Sequence, residues 1–176
     1  RMLSIVDLIE AGTIGLEMAA YAWRALHRGS SLLTGARPGG AGKTTVMAAL
    51  LDFLPPQVSI DTIEDSASLD RAQQHPDNES RLYLAHEIGS GYWYAYIWGD
   101  EVARFFGLIG GNRRIASCLH ADTLEETAAI LTQPQLGVSK ESLQRVGLAL
   151  FMWVDRQGRA IRRRVNALYA RAHAGS

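Results

Sequence analysis

A single cysteine, Cys118, in 176 residues excludes an intrachain disulfide and fits a reducing compartment, so a stapled secreted scaffold is not expected. No apolar run approaches the roughly 20 residues that span a bilayer, and the first residues, Arg1 to Ser4, lack the apolar stretch of a signal peptide. A cytoplasmic protein is the expectation, at most peripheral at the cytoplasmic face of a membrane. An excess of one charge is also lacking: 18 Lys+Arg stand against 18 Asp+Glu. No global field gathers nucleic acid or anionic lipid, and no nucleic-acid partner is expected. Internal repeats, low-complexity tracts and long linkers are missing too. The chain therefore reads as one domain over 1–176: lead-in helices over 1–30, a core over 31–135, and a helical turn with a β-hairpin over 136–176. A hydrophobic content of 47% supplies a real core at this length.

What is present concentrates at one place. Ser31 to Thr34 read as a strand, residues 35–42 as a glycine-rich loop, and Gly42-Lys43-Thr44-Thr45 as the start of a helix over 43–53. That is the layout of a phosphate-binding P-loop, in which small residues let backbone N–H groups close on phosphate oxygens and the helix directs its positive end at the same anion. Gly39, Gly40, Ala41, Gly42, Lys43, Thr44 and Thr45 are the candidate nucleotide contacts. Lys43 would reach the β- and γ-phosphates, and the Thr44 hydroxyl would hold Mg²⁺. Arg37 stands where the usual spacing has glycine, so the wrap is assigned to residues 38–41. The plain alternative is a glycine-rich turn between a strand and a helix.

Further along, Ser4 and Asp7 have capping-box spacing before a short helix, and Leu16, Ala19, Ala20, Trp23 and Leu26 recur at helical spacing over 14–27. Strands are expected over 58–63, 82–85 and 114–118, a surface loop or frayed helix over 66–80, and helices over 94–109, 123–131 and 139–145. Segments 147–154 and 159–169 around Arg156-Gln157-Gly158 read as a hairpin. Strands alternating with helices give a three-layer α/β fold with a mostly parallel sheet.

In such a sheet the ligand lies beyond the carboxyl ends of the strands. The polar residues expected there are the P-loop, Glu64 and Asp65, Glu87, and His120 beside Asp122. ATP chemistry needs a cradle, a metal and a group that orients water. Glu87 is the natural water-positioning base, Glu64 a support for metal or water, and His120 a sensor of the γ-phosphate. Thr44, Glu64 and Glu87 are the candidate metal contacts. Each lone carboxylate has a plain alternative as a helix cap or solvated charge, and the histidine as a structural side chain. The aromatics Tyr92, Trp93, Tyr94, Tyr96 and Trp98 read as core packing or as a docking or base-stacking surface. Arg159, Arg162, Arg163 and Arg164 read as the solvated face of an edge strand or a partner contact, and Arg113 and Arg114 as structural or as fingers across a subunit interface.

These motifs resemble the C-terminal motor domain of the type II/IV secretion ATPases, in the archaeal branch serving pili and archaella. Residues 7–23 resemble its lead-in helices, 62–65 its acidic box, 82–88 its Walker B strand, 118–126 its histidine box, and the hairpin its closing strands. The sequence departs at Arg37, at His86 in place of the Walker B glycine, at Gly89 in place of arginine, and in an aromatic-rich insertion over 90–98. The resemblance implies a RecA-like P-loop NTPase fold, ATP and Mg²⁺ as cofactors, hydrolysis by water, ATP/ADP as ligands, a homo-oligomer such as a hexamer, and a membrane-platform protein as partner. It also sets aside the N-terminal domain that supplies arginines in the family, so that a compact relative or a fragment, slow in isolation, is expected. A non-hydrolysing nucleotide-dependent switch or scaffold is the alternative, and a small-molecule kinase a further one, for which no arginine-rich lid is found. A GTPase is disfavoured by the lack of an Asn-Lys-x-Asp motif.

Overall fold

The computed structural model describes residues 2–89 and 96–171. Two helices lead in, α1 (Ile5–Glu10) and α2 (Leu16–His27). The first is nucleated by the capping box read from the sequence: the Asp7 amide donates to Ser4 Oγ, and the Ser4 amide to the Asp7 carboxylate. Then come β1 (Ser31–Gly35), α3 (Lys43–Leu51), β2 (Ser59–Ile63), α4 (Ser66–Gln74), β3 (Arg81–Ala85), β4 (Glu87–Ile88) and β5 (Tyr96–Ile97). The chain continues through α5 (Asp100–Phe106), β6 (Arg113–Leu119), α6 (Leu124–Leu131), α7 (Lys140–Gln144), β7 (Gly147–Gln157) and β8 (Ala160–Ala170).

The main sheet runs β2-β3-β6-β1-β7-β8, all neighbours parallel except the β7–β8 hairpin. β1 is central and buried along its whole length, the signature of a strand covered on both faces. Successive side chains feed two cores. Leu33, Tyr83, Ala85, Ile115 and Phe151 join α4, α5 and α6 on one face. Leu32, Leu82, Ala116, Leu150 and Met152 join α1, α2 and α3 on the other. This is the three-layer α/β arrangement expected from the sequence.

Several expectations are corrected. Residues 66–74 form a true helix, capped by Asp65, whose carboxylate accepts from the Ser68 amide at 2.8 Å; that hydrogen bond holds the Asp65 carboxyl below its ordinary value. The helix expected over 94–109 is instead the short strand β5 followed by α5, because Gly99 at φ 66° breaks the backbone between them. The part of that expectation on residues 94–95, and the aromatics Tyr92, Trp93 and Tyr94, lie outside the described residues.

Two irregularities redirect side chains. β3 pairs Leu84 with Ala116, yet Ile88 of β4 pairs with Leu119. One extra residue thus lies on the β3–β4 side, at the His86 bend. The extra residue inverts the alternation: Ala85 and Ile88 both enter the α4–α6 core, so Glu87 turns to the α3 face. The second irregularity lies in β8, where Phe151 pairs with Ala167 but Met152 pairs with Val165, leaving Asn166 as the extra residue.

β1 ends in a tight spot. A Cβ on Gly35 would sit 2.6 Å from the Ala121 carbonyl and 2.7 Å from the Phe151 ring. Gly35→Ala is expected to lower the unfolding free energy by about 1–3 kcal/mol, as overpacking does, read as a lower urea midpoint at unchanged slope. An unchanged midpoint would show that β1 and β7 separate more easily than their register implies.

Candidate functional site

β1 delivers the loop over 36–42. Gly40 (φ 73°) and Gly42 (φ 95°) adopt the left-handed backbone that lets the chain double back into α3. Side chains are absent where the loop wraps: a Cβ on Gly39 or Gly40 would meet no protein atom within 4 Å. The loop borders a cavity of about 930 Å³, also lined by Thr44, Thr45, the α1–α2 turn and the hairpin.

Lys43, the first residue of α3, is buried. Its Nζ donates to the Ala36 carbonyl at 3.2 Å and lies 3.5 Å from Glu87 Oε1 and 3.3 Å from His120 Nδ1. His120 Nε2 lies 2.6 Å from the same carboxylate oxygen. Glu87 is buried in this cluster, and its Oε1 takes no well-aligned hydrogen bond despite both neighbours. Two nitrogens thus flank Oε1 without a well-aligned hydrogen bond to it. His120 Nδ1 serves one of two partners: as an acceptor it takes a Lys43 Nζ–H, and as a donor it gives to the Arg37 carbonyl 3.0 Å away. Tyr96, from the insertion, borders the cavity, and its hydrogen bond to the Glu87 carboxylate holds the phenol above its ordinary value.

The structure brings Lys43, Glu87, His120, Thr44, Thr45 and the loop glycines to one cavity. It does not bring Glu64 there. β2 is the sheet edge, with β3 and β6 between it and β1, and Glu64 is exposed beyond its end and does not line the cavity.

Arg37 does not fill the cradle. Its amide donates to Asp122 Oδ1 at 2.8 Å and its Nε to Glu126 Oε1 at 2.6 Å, so it clips the loop to the start of α6. The mutual hydrogen bond raises the arginine and lowers the Glu126 carboxyl relative to their ordinary values. The histidine-box acid Asp122 is thereby a loop anchor. The Tyr96 ring occupies the space beside Gly89, where a Cβ would lie 2.7 Å from Cδ2.

Arg113 and Arg114 lie away from this chain's own cavity. They begin β6, at the opposite end of the sheet from its loop to His120. Arg114 is buried and donates to the Leu26 carbonyl at 2.6 Å, capping α2, while Arg113 donates to His75 O at 3.4 Å. Sequence reasoning also missed the cavity positions of Tyr96 and of the hairpin arginines Arg162, Arg163 and Arg164. The arginine run was visible, but its direction depends on the Asn166 bulge.

The mostly parallel sheet closed by an antiparallel hairpin, with a glycine loop between β1 and α3, has a counterpart among solved structures. Among solved structures the chain is similar to the VirB11 ATPase of the Brucella suis type IV secretion system, determined in complex with sulphate. The TM-score is 0.61 at 18% identity, over 97% of this chain and 57% of that one; at this identity the likeness is one of fold. Two uncharacterized proteins of Methanocaldococcus jannaschii are similar in sequence. MJ0900 is 26% identical over 183 residues, covering 93% of this chain and 33% of the relative. MJ1287 is 40% identical over 63 residues, covering 36% of this chain and 23% of the relative. The chain thus spans about a third or less of the length of these relatives. No family model matches it. Among the described residues no helix is long and apolar enough to cross a membrane.

Proposed function

We propose that this chain binds ATP and hydrolyses it as a motor of the type II/IV secretion ATPase kind, in a self-associating assembly at the cytoplasmic face of a membrane-platform protein. The observation that carries the reading is a buried lysine at the first turn of α3, behind a left-handed glycine loop, 3.5 Å from a buried carboxylate that a β-irregularity has turned toward it. The likeness in fold to the VirB11 ATPase supports the ATPase class.

The residues present fit Mg²⁺. Mg²⁺ in such a site is bound chiefly by nucleotide phosphates and water, with one or two protein oxygens. Thr44 borders the cavity, and the under-satisfied Glu87 Oε1 is a ready acceptor for a bound water. Thr44 would hold the ion directly and Glu87 through water; Glu64 stays in the proposal only as an outer support reached by closure. When bound, the ion offsets charge on the phosphate oxygens.

The chain's own groups do the rest. Backbone N–H groups from Gly39 to Thr44 grip the phosphates. Lys43 leaves the Ala36 carbonyl and Glu87 for the phosphate oxygens, an exchange of a neutral and a paired partner for a polyanion. That departure frees Glu87 to align the attacking water and accept its proton. His120, already at 2.6 Å from Glu87, keeps the carboxylate oriented and reports the state of the loop through Arg37 O.

A non-hydrolysing switch is the second reading, favoured by the same lock of Glu87 between Lys43 and His120. Phosphate release from Mg²⁺-ATP, measured with and without acceptor and beside light scattering for mass, separates the readings. Release without an acceptor, rising per chain with protein concentration, is the expected result. Binding without release favours the switch, and transfer only to an acceptor favours a kinase.

A further inference from the structure

Arg162, Arg163 and Arg164 border the P-loop cavity while remaining exposed on the edge strand. β8 has period two, so an unbroken strand would put Leu168, Asn166, Arg164 and Arg162 on one face. The extra residue Asn166 shifts that set. Leu168 and Val165 share the α1–α3 core face, and Arg163 follows Val165 on it. The bulge is fixed from outside the sheet: the Val165 amide donates to the Thr13 carbonyl in the α1–α2 turn at 2.6 Å. The same backbone bond ties the hairpin to the wall of the cavity.

Arg163 then reaches 123 positions back along the chain, where its Nε donates to the Gly40 carbonyl at 2.7 Å. Its Cδ stands 3.5 Å from where a Cβ on Gly42 would lie. Among the described residues no carboxylate lies within ion-pair distance of it. Asp155 sits opposite Arg162 in the hairpin, whereas the residue opposite Arg163 is Val154. A permanently charged guanidinium is therefore held over a phosphate loop by one neutral carbonyl, with its terminal N–H donors uncommitted and exposed. An arginine serving only to keep an edge strand solvated has no reason to make that contact.

Resting on the reading of this cavity as an ATP site, we propose that Arg163 is a phosphate-binding residue, a cation delivered in cis by the hairpin that grips the nucleotide's phosphate tail alongside Lys43. It binds by planar, multi-donor contact to phosphate oxygens. Lys43 approaches from the floor of the loop and Arg163 from the hairpin, so the tail is held from two elements.

The test compares ATP with AMP binding, by displacement of a fluorescent ATP analogue, for the parent chain, Arg163→Ala, Arg163→Lys and Arg159→Ala, with melting temperatures alongside. Arg159 lies in the hairpin turn, outside the cavity lining, and is the control. Arg163→Ala is expected to weaken ATP binding about 10- to 100-fold, the scale of hydrogen bonds to a charged group, with AMP much less affected. The ATP-to-AMP affinity ratio therefore falls, Arg163→Lys recovers part of it, and Arg159→Ala keeps the parent ratio. A residue that merely braces the loop weakens both ligands alike or neither, and a parent-like ratio in Arg163→Ala overturns the proposal. If the parent chain itself binds no ATP, the reading of the site fails with it; if the parent binds and the ratio is unmoved, only the role of Arg163 fails.

Discussion

Lys43→Ala is expected to lose ATP binding and to lower any turnover by about 10²–10³-fold, the scale for removing one pre-organised charged donor. The loss has two sources that a single variant mixes. Lys43 is the phosphate-reaching cation, and it is also a partner of the buried Glu87. Truncating it leaves that carboxylate with His120 and Tyr96 but no lysine charge, and breaking a buried pair typically costs about 3–5 kcal/mol of stability. A fall in melting temperature is therefore expected with the loss of binding. Lys43→Gln separates the two: the charge is gone while most of the side-chain volume and a polar amide donor remain in the pocket. Lys43→Gln should melt closer to the parent and still bind ATP at least about tenfold more weakly. Parent-like affinity in Lys43→Gln would mean that the lysine serves the fold rather than the phosphate.

Glu87→Gln should give the opposite split. The amide fills the same space between Lys43 and His120, so ATP binding persists or tightens as Lys43 is released from its ion pair. Turnover should fall by about 10²–10⁴-fold, the range for a positioned general base, because the amide hydrogen-bonds water without taking its proton. Single-turnover phosphate release measures this directly. Release at the parent rate would make Glu87 a structural partner of Lys43 and place the base elsewhere.

The glycine loop, the central strand, the Ser4–Asp7 capping box and the C-terminal hairpin were legible because each is a local pattern: glycines before Lys43-Thr44, apolar runs ending in a charge, and Ser4 three residues before Asp7. What stayed hidden is set by single extra residues in the sheet. At His86 one such residue turns Glu87 from the α4–α6 core to the α3 face; at Asn166 another turns Arg163, and not Arg164, to the loop. Neither leaves a compositional signal, since register is decided by neighbouring strands. Glu64 looked equivalent to Glu87 because both follow an apolar strand. Only the strand order, which puts β2 at the edge, separates them. Arg113 and Arg114 looked free because the carbonyl that takes Arg114 belongs to Leu26 in another layer. Arg37 looked like a flaw in the cradle, yet its side chain lies outside the cavity, held by Asp122 and Glu126.

The most direct test of the central claim is a calorimetric titration of the chain with ATP in the presence of Mg²⁺, repeated with Lys43→Gln and in competing inorganic pyrophosphate. The account predicts saturable binding at one site per chain, displaced by pyrophosphate and weakened at least about tenfold in Lys43→Gln. A parent chain, folded by circular dichroism, that shows no ATP-dependent heat, or binding that neither pyrophosphate nor the loss of the Lys43 charge disturbs, would contradict it.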